Sequence, residues 1–341
     1  DVVAGLDRLY GMVDVTSTPI FTFKPAAGAA AFDLRTLVLG PDSAPYVIDR
    51  ASKSVFRIDL KRKRAVAIAR SGRKLGATRM SEPKFLAVGG RDLLIVDAKN
   101  VVWRWRASND AGKGTTNRLT VNGSTQWGND ILALGTYLRP GTRGLYNLYV
   151  VDPSEDQIRA YPPASDGGGF PAKATAWLAT ARSVAKMTSI YIDGDIYVTE
   201  GGALERFTSG KGGDWNPASP GDIILRSEPA STLVTGAGER RKGRVYTYDP
   251  ENARILAYEK GDGRFVAQYR LAEGEGWNDL RAMYVIAGVE EAPATLVWLS
   301  ADGVHQAVLA AAPDGDGTSP DASGSPGPSG AASSASSAPS P

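Results

Sequence analysis

The sequence predicts an all-β fold, a six-bladed β-propeller built of four-stranded antiparallel blades. The first observation is a repeat in which an apolar strand ends in a polar residue, a turn follows, and a second strand carries a basic or aromatic residue. This repeat occurs six times at spacings of 48 to 55 residues, and its strand-ending residues are Asp49, Asp97, Asp152, Glu200, Asp249 and Ser300. The second observation is that short strands and Gly, Asp or Pro turns fill each period. A period of roughly 50 residues with this content is typical of a propeller blade.

Two further strands per repeat complete each predicted blade. The strand before each repeat is assigned to the wall of the central channel, and these six strands are residues 34–39, 85–88, 131–134, 187–192, 233–235 and 280–286. A short outer strand follows five of the repeats, at residues 65–69, 118–121, 174–178, 222–225 and 265–271. The sixth repeat has no outer strand after it, because a segment without strand-forming residues begins soon afterwards.

The N-terminal part of the chain provides the missing strand. Residues 19–23 (PIFTF) form an alternating strand, and we predict that this N-terminal strand closes the last blade and removes two exposed sheet edges. Ahead of it, apolar residues at helical spacing predict a short helical stalk over residues 1–12. The predicted propeller spans residues 13–312. Residues 313–341, rich in Pro, Ser, Gly and Ala, are predicted to be a disordered tail.

The composition excludes several classes of chemistry. The chain has no Cys and one His, so disulfides, Cys-ligated zinc and multi-histidine metal sites cannot form, and a Ser-His-Asp triad could use only His305. We predict no cofactor. The 39 Lys and Arg residues nearly balance 37 Asp and Glu residues, so no overall charge attracts nucleic acid or an anionic membrane. No apolar run is long enough to span a bilayer.

Charged residues of both signs gather where the predicted inner strands begin, at one mouth of the channel. The candidate ligand-binding residues are Asp33, Arg35, Glu82, Lys84, Asn129, Asp130, Lys186, Asn278, Asp279 and Arg281. One interpretation is a polar ligand site or a calcium site, because Ca²⁺ prefers several carboxylate and amide oxygens from different loops. The structural interpretation is that these charges pair and hold neighbouring blades in register. Arg35, Lys84 and Arg281 would repel a metal ion, so we predict no metal.

Other motifs have a plainer structural interpretation. The repeated acidic residue should begin a turn by accepting backbone N–H groups. The basic runs 61–64 and 240–242 could contact phosphates, but each falls between strands and is expected to be a solvated turn. Trp127 and Trp277 each lie close to Asn and Asp and could stack on a sugar, although packing against the next blade is favoured. His305, on the last strand, is expected to be a packed or edge residue.

Several segments carry a resemblance to known propellers. YVID (46–49) followed by FRI (56–58), and YVVD (149–152) followed by IR (158–159), resemble the repeats of NHL-type and YVTN-type six-bladed propellers, and this resemblance covers about residues 19–310. A longer stretch contains GGFP (168–171), WL (177–178) and IDGDIYV (192–198), and LDRLYG (6–11) precedes it. This set is similar to extracytoplasmic propellers of bacterial membrane-anchored PP2C-type phosphatases and related proteins.

The second resemblance implies an extracytoplasmic, membrane-anchored sensor or binding module. Its partner would be a small ligand or a protein at the channel mouth, its anchor would lie upstream of Asp1, and the chain itself is expected not to be an enzyme. The alternative is a calcium-dependent hydrolase. Lactonases of the calcium-dependent six-bladed type need a Glu, two Asn and an Asp in the channel, and the residues that could supply this set are Glu82, Asn129, Asn278 and Asp279. A scaffold without any ligand is the third interpretation.

Overall fold

The computed structural model confirms a six-bladed propeller of small antiparallel sheets. It describes residues 5, 7, 10–25, 27–28, 30–108, 113–128, 130–218, 229–272, 277, 279–289 and 292–311. The predicted stalk helix falls mainly outside these residues. The predicted strand at residues 222–225 and the predicted disordered tail fall wholly outside them.

The N-terminal third of the chain forms two short strands and the first two blades. The N-terminal strands are β1 (Met12–Val15) and β2 (Thr18–Thr22). Blade one contains β3 (Leu34–Leu39), β4 (Pro45–Asp49), β5 (Ser54–Asp59) and β6 (Arg64–Arg70). A hairpin of β7 (Lys74–Leu75) and β8 (Thr78–Arg79) links it to the next blade. Blade two contains β9 (Pro83–Gly89), β10 (Asp92–Asp97), β11 (Val102–Ala107) and β12 (Gly114–Arg118).

Blades three and four follow, with a small strand pair at their start. The strand β13 (Thr120–Val121) is followed by a single-turn 3₁₀ helix at Ser124–Gln126. The four strands of blade three are β14 (Ala133–Leu138), β15 (Tyr146–Asp152), β16 (Gln157–Tyr161) and β18 (Thr175–Ala176), with a 3₁₀ turn at Pro153–Glu155 between β15 and β16. Between β16 and β18, the short strand β17 (Gly169–Phe170) pairs with β13. Blade four has three strands in the described part, β19 (Met187–Ile192), β20 (Ile196–Glu200) and β21 (Ala203–Phe207).

The last two blades complete the ring. Blade five contains β22 (Leu233–Ala237), β23 (Arg244–Asp249), β24 (Arg254–Glu259) and β25 (Phe265–Leu271). Blade six contains β26 (Ala282–Ile286), β27 (Ala294–Leu299) and β28 (Gly303–Leu309). The first strand of each blade contacts the first strand of the next, and β26 contacts β3, so the six inner strands enclose the channel.

The N-terminal strand closes the ring as predicted. The strand β2 pairs antiparallel with β28, from Thr18 opposite Gln306 to Thr22 opposite Gly303, and becomes the fourth strand of blade six. The strand β1 was not predicted. It pairs in parallel with β25 and adds a fifth strand to blade five. The N-terminal segment therefore covers the outer edges of two successive blades, which limits their exposed backbone groups.

Several predicted strand boundaries were wrong: the inner strand of blade six begins at Ala282 and not at residue 280, for example, and the cause is clear for two others. The outer strand of blade two is Gly114–Arg118 and not residues 118–121, because the chain leaves the blade at the buried Leu119. Thr120–Val121 instead pair in parallel with Gly169–Phe170 beside blade three. The inner strand of blade three begins at Ala133 and not at residue 131. Ile131 is buried among residues of blades two and three, so its apolar character reflects packing between blades and not a strand.

The core lies between the faces of adjacent blades and contains most of the tryptophans. Trp127 packs on Tyr161 with the ring centroids 5.7 Å apart, and its Nε1 donates to the Tyr161 hydroxyl. Trp277 packs on Trp298 at 4.7 Å and donates to the carbonyl of Tyr269. Both Trp127 and Trp277 are buried. The packing interpretation of these residues is therefore confirmed, and neither offers a face to a sugar.

The repeated acidic residue is a buried turn cap, as predicted, at Asp49, Asp97, Asp152 and Asp249, whereas Glu200 is partly exposed and pairs with Arg182. The Asp97 carboxylate is fully buried and accepts from the backbone N–H groups of Lys99 (2.9 Å) and Val101 (3.1 Å) in its own turn. It also accepts from the N–H of Ser81 (2.9 Å) and from the indole Nε1 of Trp103 (2.9 Å). One carboxylate therefore joins the second strand of the blade, the turn after it and the loop that leads into the inner strand.

Loss of the closing strand's anchor should destabilise the whole propeller. The buried Phe23 ring lies 4.9 Å from Phe21, 5.0 Å from Phe32 and 5.9 Å from Phe56, at the junction of blades six and one. We expect Phe23→Ala to lower the free energy of unfolding by about 3 kcal/mol. Val308→Ala, at an exposed site on β28, is the control and should cost less than about 0.5 kcal/mol. Chemical denaturation measures both, and equal effects would contradict the closure.

Removing the negative charge of the turn cap Asp97 should destabilise the propeller strongly, although Asn has nearly the same size as Asp. In the wild type, both carboxylate oxygens of Asp97 accept from N–H groups. In Asp97→Asn, an amide NH₂ replaces one of these oxygens and cannot accept, so at least one buried donor loses its partner. We expect a loss of about 3 kcal/mol in the free energy of unfolding. Asp156→Asn, at an exposed turn position, should change it by less than about 0.5 kcal/mol. An Asp97→Asn variant as stable as Asp156→Asn in urea denaturation would show that the carboxylate is dispensable.

Candidate functional site

The central channel has two chemically different ends. It has a volume of about 500 Å³ and is lined by the six inner strands. At the end where these strands begin, the side chains include the predicted charged residues. At the other end, the last or next-to-last residue of each inner strand is aliphatic: Leu39, Val88, Leu138, Ile192, Ala237 and Ile286. Between the two ends, hydroxyl groups of Thr36, Thr136, Thr188 and Ser189 lie among aliphatic residues of the wall.

Buried carboxylates fix the loops that carry the mouth residues. Asp49 accepts the backbone N–H of Asp33 at 2.7 Å, in the same way that Asp97 accepts that of Ser81. The carbonyl of Asp33 accepts from the N–H of Arg50 at 2.9 Å, and the carbonyl of Glu82 from that of Ala98 at 2.8 Å. These paired bonds hold Asp33 and Glu82 against the turns of their own blades, and the next residues enter the inner strands.

Three ion pairs form a chain across the junction of blades six and one. The Arg35 Nε lies 2.9 Å from an Asp33 carboxylate oxygen. The same oxygen lies 3.8 Å from Nη1 of Arg281, whose Nε lies 2.8 Å from Asp279. Arg281 also donates to the carbonyl of Leu34 at 3.3 Å. The order along the mouth is therefore Arg35, Asp33, Arg281, Asp279, with alternating charge.

The other predicted mouth residues lie on blades two to four. The Lys84 ammonium lies 5.1 Å from the centre of the Phe85 ring, and partial burial lowers the pKa of Lys84, while the nearby Asp130 carboxylate opposes that shift. Glu82 pairs with Lys53 at 3.2 Å, and Asp130 and Lys186 are exposed. Both interpretations of the mouth therefore have support, because some charges pair across blades and others face solvent.

The residues proposed for calcium do not form a site in the described structure. Asn129 and Asn278 lie outside the described residues. Glu82 is paired with Lys53, and Asp279 is bound to Arg281 and accepts from the N–H of Ala301. Within the described residues, no three His, Asp or Glu side chains come together in a way that could hold a metal ion.

A strained backbone at the mouth was not predicted. Thr36 has φ of +53°, in the left-handed region that β-branched residues rarely adopt, and a β-bulge separates Arg35 from Leu37. The bulge shifts the alternation of side chains just after Arg35, so it determines where this guanidinium points. Nothing in the residue type signals it, since Thr normally favours a regular strand.

The remaining motifs have structural contacts. Arg240 and Arg241 lie 2.6 and 3.4 Å from the carboxylate oxygens of the buried Asp195. The run at residues 61–64 forms the turn between β5 and β6. His305 stacks on Trp298 with ring centroids 5.3 Å apart, and its Nε2 lies 2.9 Å from the Ser300 hydroxyl. The packed interpretation of His305 is consistent with these contacts.

Comparison with known proteins supports the fold. No protein-family model matches the sequence, and no curated protein matches it. The structure is similar to that of a proposed gluconolactonase, with a TM-score of 0.50, 11% identity, and coverage of 89% of this chain and 95% of that chain. It is also similar to virginiamycin B lyase from Staphylococcus aureus (TM-score 0.48, 13% identity, 81% and 80% covered) and to a chain of a nidogen/laminin complex (0.47, 16%, 70% and 80%).

The comparison contradicts the expectation that the chain is not an enzyme. The structure with a TM-score of 0.50 is of a proposed gluconolactonase, so a six-bladed propeller of this kind is no ground for excluding catalysis. At 11 to 16% identity, the likeness concerns the fold alone.

Among the helices in the described part of the chain, none is long and apolar enough to cross a bilayer.

Breaking the ion-pair chain should destabilise the junction of blades six and one. Arg281→Gln removes the charge that both Asp33 and Asp279 face, and we expect a loss of about 1 kcal/mol in the free energy of unfolding. The loss should shrink in about 1 M NaCl, since salt screens partly exposed pairs. Arg64→Gln, at an exposed position on β6, is the control and should have almost no effect. A loss that is unchanged by salt would contradict an electrostatic role.

Proposed function

We propose that the protein binds a polar ligand or protein segment at the charged mouth of its channel. The observation that carries this proposal is the chain of alternating charges Arg35, Asp33, Arg281 and Asp279 at the mouth of an open channel, in which the buried Asp49 positions Asp33. Asp33, Arg35 and Asp279 keep 39, 48 and 49% of their side-chain surface exposed. A pairing that served only to hold two blades together would not need to leave so much of these groups in solvent.

The balance of charges indicates the chemistry of the ligand. Among the predicted mouth residues, four acids stand beside four bases: Asp33, Glu82, Asp130 and Asp279 with Arg35, Lys84, Lys186 and Arg281. A mouth without net charge gives no advantage to a simple cation or anion. It suits a ligand with closely spaced donors and acceptors, because a hydroxyl can donate to a carboxylate while accepting from a guanidinium. A sugar or a short zwitterionic peptide has this character.

Arg35 is the group best placed to contribute affinity. Its Nε lies 2.9 Å from an Asp33 carboxylate oxygen, so the ion pair positions the guanidinium while 48% of the side-chain surface stays exposed to a ligand. A preorganised donor loses less conformational entropy when it binds than a freely rotating one.

The proposal places the chain outside the cytoplasm, in a membrane-anchored protein that senses or recruits its ligand. This location rests on the resemblance of residues 168–198 and 6–11 to extracytoplasmic propellers.

A screen with matched variants tests the proposal. Purified propeller is screened against a glycan array and a library of short peptides, and the best binder is measured by calorimetry. We expect Arg35→Ala to weaken binding at least about tenfold. Arg139→Ala, at an exposed site on the β14–β15 turn at the other end of the channel, should leave binding unchanged.

The same assay distinguishes binding from turnover. Mass spectrometry of the incubated binder, with and without added Ca²⁺, reports any product that forms. Equal affinity of the wild type and Arg35→Ala, or equal loss in Arg35→Ala and Arg139→Ala, would contradict a binding site at the charged mouth.

A further inference from the structure

The nearly neutral chain hides a strongly uneven distribution of charge. Residues 50–99 contain fourteen Lys and Arg residues but only four Asp and Glu residues, whereas the whole chain has 39 and 37. This stretch forms the two outer strands of blade one (β5 and β6), the hairpin β7–β8 and the two inner strands of blade two (β9 and β10). Two sides of the propeller therefore differ in electrostatic potential, although the overall composition gives no sign of it.

Seven of these cations and Arg118 lie on the mouth-side rim of the same two blades, and we call the eight residues the rim patch: Arg50, Lys53, Arg70, Arg73, Lys74, Arg79, Lys99 and Arg118. All eight are exposed. Backbone pairing of Ser54 with Arg70 and the bond from the N–H of Ser71 to the Lys53 carbonyl place the first three together. The next three, Arg73, Lys74 and Arg79, lie at the hairpin β7–β8. Arg118 lies beside this hairpin, because its guanidinium donates to the hydroxyl of Thr78.

Seven of the eight rim-patch cations are not neutralised by a carboxylate of the described residues. Lys53 pairs with Glu82 at 3.2 Å. Arg73 and Arg79 instead donate to backbone carbonyls, of Ile68 at 3.0 Å and of Gly72 at 2.9 Å. In the part of the chain that the structure describes, no carboxylate lies within ion-pair distance of the seven rim-patch residues other than Lys53. The nearby Asp49 and Asp97 are buried and already accept several N–H groups.

The rim patch lacks the features of an interface with a folded protein or a membrane. Within the described chain, the large apolar side chains that are exposed are Leu138, Ile286, Val289 and Val308, which all lie in blades three and six. A stable protein interface needs an apolar or aromatic centre, and peripheral membrane binding gains from inserted apolar groups. The patch also offers no exposed aromatic residue, so it has no platform on which nucleobases could stack.

We infer that the rim patch binds a flexible polymer of phosphate groups, which it recognises through the phosphates alone. The cations spread over the rim of two blades and do not line the central channel, so they fit a partner that presents many charges along its length. Five of the eight are arginines, whose planar guanidinium groups match phosphate oxygens in pairs. Each contact releases counterions from the polymer, so affinity should depend strongly on salt. The rim patch shares no residue with the proposed ligand site at the channel mouth but adjoins it, since Lys53 pairs with Glu82.

Binding of long-chain inorganic polyphosphate tests the inference. Fluorescence anisotropy with end-labelled polyphosphate gives Kd over a range of salt concentrations for the full chain. The test variant carries Arg73→Glu, Lys74→Glu and Arg79→Glu. The control carries Lys61→Glu, Lys63→Glu and Arg64→Glu, which changes the net charge equally on the turn between β5 and β6. A second test variant carries Arg50→Glu, Arg70→Glu and Lys99→Glu. These three residues lie outside the hairpin, so the hairpin is left intact, and their side chains form no ion pair in the described part.

We expect both test variants to weaken binding at least about 30-fold at moderate salt, and the control to weaken it less than about threefold. The slope of log K against log salt should be about −3 to −5 in the wild type and shallower by about 2 in the test variants. Equal losses in the test and control variants would overturn the inference, as would the absence of binding by the wild type. Equally tight binding of polyglutamate, or of vesicles rich in phosphatidylglycerol, would overturn the choice of a phosphate polymer.

Discussion

The buried carboxylate at the end of the second strand of a blade is the interaction on which the mouth of the channel depends. Asp49 and Asp97 lie out of solvent, and each is stabilised by several N–H donors, including one from the loop that precedes the inner strand. A buried charge without such partners would cost several kcal/mol, so the turn and the loop must take up these positions together. The loops that carry Asp33 and Glu82 are fixed for the same reason.

The closure of the ring depends on a second constraint: the outer edges of blades five and six must be covered by further strands. The strand β2 supplies blade six with its outer strand, and β1 covers the outer edge of blade five. Phe23 joins this closure to blade one through an aromatic cluster, and Arg281 joins the same two blades at the mouth through Asp33. The ion-pair chain that we propose as a ligand site therefore lies at the seam where the chain closes on itself.

Strand alternation and the repeated acid predict the blades from sequence because both are local signals. Parallel pairing of β1 leaves no such signal, since four residues pair with a strand more than 250 positions away. The bulge at Thr36, in the pairing of β3 with β4, also leaves no such signal, because Thr normally favours a regular strand. Eight of the ten candidate mouth residues lie among the described residues, and sequence position alone places them near inner-strand starts. Their pairing could not be predicted, because it depends on side-chain reach across blades. The net charge could not reveal the rim patch, because a sum over the whole chain hides a local excess of cations.

The central claim is that the charged mouth, held by buried carboxylates, is the face that binds ligand. Hydrogen–deuterium exchange, measured by mass spectrometry with and without a binder found by the screen, tests it most directly. We expect the ligand to slow exchange in the mouth segments around residues 33–36, 82–85 and 279–283. Protection confined to the hairpin turns at the aliphatic end of the channel, with no change at the mouth, would contradict it.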